Sequence, residues 1–119
     1  MKINLYRNNF KTENYDIKEL SLYNEAELMV LSDELRKFWK VTDVEGKKLY
    51  QIDTDKVKQA IENKEMQEII DRSVELLNNI IDDTERMKTL ENVTFDDFFF
   101  IIPTLSTEIY VYLSELKKK

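Results

Sequence analysis

The residues best suited to chemistry fall in three acidic clusters: Asp53 with Asp55, Asp82 with Asp83 and Glu85, and Asp96 with Asp97. Carboxylates alone can hold Mg²⁺ or Ca²⁺, and they can serve as general acids and bases. None of the clusters has EF-hand spacing. Each sits where a helix is expected to begin, and there the free N–H groups and the helix dipole favour negative charge. Capping is therefore the stronger reading of all three. Asp43, Glu45 and Lys47 match the acid-x-Lys core of some nucleases over three residues in an expected turn, which is too little to carry an assignment. The chain has no Cys and no His, so disulfides, zinc fingers, His- or Cys-ligated haem and Ser-His-Asp triads are excluded. Its single Gly rules out both the phosphate-cradling GxxxxGK[ST] loop and the GxGxxG turn. The expectation is a non-enzymatic protein with no catalytic residues, no cofactor and no metal.

The composition bounds the scaffold. A chain of 119 residues, 42% hydrophobic and 35% charged, suits one globular domain spanning 1–119. Scarce Gly and Pro favour helices over a many-turned β fold. The formal net charge is −6, and residues 53–97 hold thirteen acids against six bases. That leaves no basic footprint, so direct nucleic-acid binding is not expected. The acidic middle reads as a solvated helix face; the rival reading is a mimic of nucleic acid that occupies a basic cleft. MKINLYRNNF lacks the apolar stretch of a signal peptide. The greasy run Phe98–Leu113 falls short of the roughly 20 apolar residues of a membrane span, and Pro103 and Glu108 interrupt it. No membrane association and a cytoplasmic location follow as expectations.

The hydrophobic pattern supplies the elements. Ile3 to Tyr6 alternate as a short strand, followed by the polar, turn-like stretch NNFKTENYD. Leu28, Leu31, Leu35 and Phe38 recur at helical spacing, with Met29 and Val30 widening the stripe, and Ser21 is placed as N-cap of a helix at about 22–38. Residues 39–52 read as a hairpin turning at Asp-Val-Glu-Gly, with Gly46 at the left-handed position of a G1 bulge. The N-terminal strand is placed to pair with it. Asp53 or Thr54 caps the next helix, which Val57, Ala60 and Ile61 line. Met66, Ile69, Ile70, Ser73, Leu77 and Ile80 form a second stripe out of phase with the first, so a break is expected near Asn63. Asp82-Asp83-Thr84 ends this element or starts a short one containing Met87 and Leu90. Thr94 and Asp97 form a variant capping box, with Val93 and Phe98 placed as a hydrophobic staple. Phe95, Phe98, Phe99 and Ile102 then share a face. Pro103 is expected to end or bend this helix, leaving two short helices or one kinked one, with Leu105, Ile109, Tyr112 or Leu113, and Leu116 as the last stripe. The fold class is thus mainly α: four to five helices with a small N-terminal β element.

Phe100, Tyr110 and Val111 fall off these stripes and supply apolar surface for a partner. Phe95, Phe98, Phe99, Phe100, Tyr110 and Tyr112 are the candidate partner-binding residues.

The layout resembles the tail-assembly chaperones of long-tailed bacteriophages. The features that carry it are the initial strand, the helix start Glu19-Leu20-Ser21-Leu22 running through Leu35, the polar middle, and the capped closing helix Val93-Thr94-Phe95-Asp96-Asp97-Phe98. The terminal Lys117-Lys118-Lys119 is compatible with the A-rich slippery run of that family's programmed frameshift. The expected central hairpin is a departure from the family. The resemblance implies a protein of the host cytoplasm that coats a tape-measure chain, keeps it soluble, helps recruit tail-tube subunits and self-associates. The alternative is a small acidic inhibitor, encoded by a phage or mobile element, that blocks a host nucleic-acid enzyme through its acidic face; a second rival is a minor enzyme using carboxylate-bound metal.

Overall fold

A computed structural model describes residues 2–6, 12–18, 20–81 and 95–117; the side chains of 2–6, 12–16, 95–97, 112–113 and 116–117 are outside the description. In chain order the elements are β1 (Lys2–Tyr6), β2 (Thr12–Asp16), α1 (Leu22–Arg36), β3 (Trp39–Val44), β4 (Lys47–Ile52), α2 (Thr54–Glu62), α3 (Glu65–Ile80) and α4 (Phe95–Lys117). The domain is mainly α with small antiparallel β elements on its N-terminal side. Thr84, Met87, Leu90 and the Val93–Thr94 start of the capping box lie outside the described residues.

Two expectations about the β elements are corrected. β1 pairs with β2, with Lys2 opposite Asp16 and Tyr6 opposite Thr12, whereas β3 and β4 form a separate sheet. The TENYD stretch is therefore a strand: its polar composition hides a segment that a backbone ladder alone can hold. The hairpin at 39–52 forms where expected, but not around a G1 bulge. Val44 stands opposite Lys47, so the loop is two residues, Glu45 at φ 51° and Gly46 at φ 80°. Two successive positive φ values define the type I′ turn, whose twist matches that of the flanking strands.

α1 begins as its sequence dictates. The Ser21 hydroxyl accepts from the Asn24 N–H at 3.1 Å. Leu28, Leu31 and Leu35 are buried, as is Phe38 just past the helix end. Met29 and Val30 do not widen that face, being 62% and 47% exposed, and the small Ser32 is buried there instead. Asp53 caps α2 by accepting from the Lys56 N–H at 3.3 Å. Val57 and Ala60 face the core, but Ile61 is 60% exposed.

The break near Asn63 is present. Asn63 ends α2, its side chain accepts from the Glu65 N–H at 3.2 Å, and Lys64 adopts a left-handed conformation at φ 66°. This one-residue reversal resets the helical phase, so Met66, Ile69, Ser73, Leu76, Leu77 and Ile80 are the buried stripe of α3. The Ser73 hydroxyl donates to the Ile69 carbonyl at 2.7 Å, which makes its burial tolerable.

α4 passes through Pro103 without ending. A helical proline has no N–H for the carbonyl four residues earlier, here that of Phe99. The Trp39 indole N–H donates to that carbonyl at 2.9 Å from the base of the hairpin. The next carbonyl, Phe100, accepts from the Thr104 hydroxyl at 2.6 Å. The proline is thus accommodated by side-chain donors, an arrangement that spans 60 residues of sequence and that local pattern cannot reveal. Phe99, Ile101, Ile102, Leu105 and Ile109 bury α4 in one hydrophobic cluster with α1, α2 and α3. The β1–β2 side joins this body through an Ile17–Ile81 bridge and a 2.8 Å bond from the Lys18 N–H to the Ile80 carbonyl.

Candidate functional site

α4 helps to form two clefts, one on each side of Pro103 in sequence. The larger, about 1010 Å³, is an open groove between α2, α3 and the first turns of α4. Its apolar surface comes from Val57, Ile61, Met66, Ile70, Phe98 and Phe99. Val57, Met66 and Phe99 are buried, Ile70 and Phe98 are half-buried, and Ile61 stands exposed on the edge. Phe98 and Phe99 meet edge to face with ring centroids 5.2 Å apart, and Phe99 also packs on Phe38 at 5.7 Å. Offset and tilted ring contacts of this kind are favourable beyond their burial.

The polar edge of the groove is built mostly by α3. Glu68, Asp71 and Glu75 lie three, four and seven residues apart, a spacing that keeps them along one side of the helix. All three are exposed. The Asp71 carboxylate accepts a 2.9 Å bond from Gln67. Among the described residues, the basic groups at this groove are Lys64 and Arg72.

Arg72 is already engaged. Its Nε and Nη2 donate to Glu27 Oε1 at 2.8 and 2.7 Å, and its Nη1 donates to Glu34 Oε2 at 3.0 Å. Glu27 and Glu34 are two turns apart on α1, so one guanidinium clamps α1 to α3. Burial alone would lower the Arg72 pKa, but the hydrogen bonds and charges of Glu27 and Glu34 outweigh it and hold the pKa above its ordinary value. The guanidinium keeps its charge and spends it on α1.

The smaller cleft, about 290 Å³, lies between α1 and the second half of α4. Leu28, Met29, Ile109 and Tyr110 give it apolar walls, and Glu25, Ser32, Asp33, Arg36, Ser106 and Thr107 give it polar ones. Met29 and Tyr110 are largely exposed. The Ser32 hydroxyl is buried with no hydrogen-bond partner among the described residues.

The six aromatic candidates do not form one surface. Phe99 is core, 1% exposed. Phe98 forms part of the groove wall. Phe100 is half-buried with its ring 4.9 Å from Trp39. Tyr110 is 73% exposed and belongs to the smaller cleft. The side chains of Phe95 and Tyr112 lie outside the described residues. Sequence reasoning missed Ile61, Ile70 and the Glu68–Asp71–Glu75 stripe as groove residues. The apolar pair was assigned to core stripes, and the acids looked like any solvated face; the i, i+3, i+7 spacing was the available signal.

Among the described residues no group of three or more acidic side chains is placed to hold a metal ion, and no helix is long and apolar enough to cross a membrane. No family model matches the chain, and no curated protein or solved structure shows significant similarity to it. The fold and site therefore define a class only: a mainly helical domain with an open, acid-edged apolar groove.

Proposed function

We propose that this is a non-enzymatic protein-binding protein whose groove between α2, α3 and α4 receives an amphipathic helix of a partner. The observation that carries this reading is the groove itself: about 1010 Å³, partly open, and walled by Ile61, Ile70 and Phe98. Helix-in-groove recognition needs such an apolar trough, into which side chains at i, i+3, i+4 and i+7 descend. The tail-assembly reading gives the partner a form. A tape-measure chain is a long helical protein with apolar stripes, and a small acidic chaperone in the host cytoplasm would cover those stripes until tail-tube subunits arrive.

The test is a solubility assay with the protein and a purified, aggregation-prone tape-measure segment. The segment stays in solution with the native protein and precipitates with an Ile61→Asp variant, whose change is on an exposed edge and leaves the fold intact. Equal protection by both proteins, or by neither, contradicts the proposal. Salt-sensitive inhibition of a basic nuclease, with no protection of the segment, would favour the acidic-inhibitor alternative.

A further inference from the structure

Resting on that reading of the groove, we infer that its partner is a specific charge class: an amphipathic helix whose apolar face is bordered by Lys or Arg over about two turns. The occupant follows from the groove edge. Glu68, Asp71 and Glu75 form a continuous acidic line on α3, and seven residues of helix span about 10 Å. Arg72, the guanidinium within this line, is drawn away by Glu27 and Glu34 on α1. Lys64 is the remaining base among the described groove residues, and it stands at the α2–α3 break beyond the end of the acidic line. Among the described residues, no ion pair engages Glu68, Asp71 or Glu75, so the edge presents three carboxylates beside an apolar floor.

An incoming helix with acidic borders would set like charges against this line, which costs affinity and slows association. One with basic borders would be steered in, and its aliphatic Lys or Arg stems would cover Ile61 and Ile70 while their heads reach the carboxylates. The two turns of acid match bases recurring at i, i+3 or i+4, and i+7. The Glu27–Arg72–Glu34 clamp is a positioning device here: by holding the guanidinium on α1 it keeps the edge acidic.

The experiment uses two synthetic helical peptides with the same leucine face, one bordered by Lys and the other by Glu. Each is titrated by fluorescence anisotropy into the full chain at low and high ionic strength. The Lys peptide is expected to bind at least about tenfold more tightly at low salt, with the gap closing at high salt as the charges are screened. The triple variant Glu68→Lys, Asp71→Lys, Glu75→Lys changes exposed residues only, and is expected to reverse the preference. Ile61→Asp is expected to weaken binding of the Lys peptide, since it places a charge on the apolar edge. Equal affinity for both peptides, with loss on Ile61→Asp, overturns the charge inference and leaves the groove reading standing. A Lys-peptide preference that survives the triple variant also overturns it. If neither peptide binds, both the inference and the groove reading fail.

Discussion

The two clefts built on α4 use the same helix in different ways. Before Pro103, Phe98 and Phe99 join α2 and α3 to form a wide apolar groove with a carboxylate edge. After it, Ser106, Thr107, Ile109 and Tyr110 close on α1 and leave a cleft less than a third that volume, with hydroxyls in its walls. Carboxylates line both clefts, Glu25 and Asp33 in the smaller one, so the difference lies in side-chain size. On the groove side, beside the α2–α3 reversal at Lys64, Ile61 is left exposed and Ile70 half-buried. On the other side the small residues Ser32 and Ser106 line the cleft between α1 and α4, and about 290 Å³ remains. Apolar content alone does not make a groove; unfilled space beside it does.

The largest expected effect separates the floor of the groove from its edge. Phe99→Ala removes a buried ring that touches Phe38 and Phe98, and is expected to cost about 3–5 kcal/mol in urea unfolding. Ile61→Ala, on the exposed edge of the same groove, is expected to stay within about 0.5 kcal/mol of the native protein. If both lose stability equally, the edge is part of the core and the groove is filled.

The next effect concerns the proline that divides α4. Trp39→Phe keeps an aromatic ring but leaves the Phe99 carbonyl without the indole donor, at a cost of about 1–3 kcal/mol. Pro103→Ala restores a backbone N–H four residues after Phe99. In that background Trp39→Phe is expected to cost about 1 kcal/mol less, a coupling that a double-mutant cycle in denaturant reads directly. Strictly additive losses would mean the indole bond does not answer the proline.

In the smaller cleft, Ser32→Ala removes a buried hydroxyl that has no partner among the described residues. The variant is expected to be more stable than the native protein by about 1 kcal/mol. A loss of similar size would show that the hydroxyl is bonded in solution. The smallest effect is at the hairpin tip. Glu45 adopts φ 51° before Gly46, and Asn tolerates that conformation better than Glu. Glu45→Asn is expected to stabilise the protein by only about a few tenths of a kcal/mol, read as a slight rise in the thermal midpoint, since the hairpin is mostly exposed.

Much of this architecture is legible in the chain because it is local. The Ser21 and Asp53 caps, the stripes of α1 and α3, the break at Asn63 and the hairpin span all follow from neighbouring residues. What escaped depends on distant partners. The choice between two short helices and one α4 running through Pro103, which the sequence leaves open, needs Trp39. The strand at Thr12–Asp16 needs β1 opposite it. The exposure of Met29, Val30 and Ile61 depends on which helix faces are covered, and a single helix period does not say that. The candidate site was half legible for the same reason. Phe98 stood out as a large ring near a helix start, whereas Glu68, Asp71 and Glu75 gain meaning only once Arg72 is seen turned toward α1.

The most direct test of the central claim is a footprint. Amide and methyl chemical shifts of the native chain, followed by NMR during titration with the Lys-bordered helical peptide, should move at Ile61, Met66, Ile70 and Phe98 and stay fixed at Met29, Ser106 and Tyr110. Shifts centred on Met29 and Tyr110, with Ile61 and Ile70 unmoved, would place the partner in the other cleft and contradict the account.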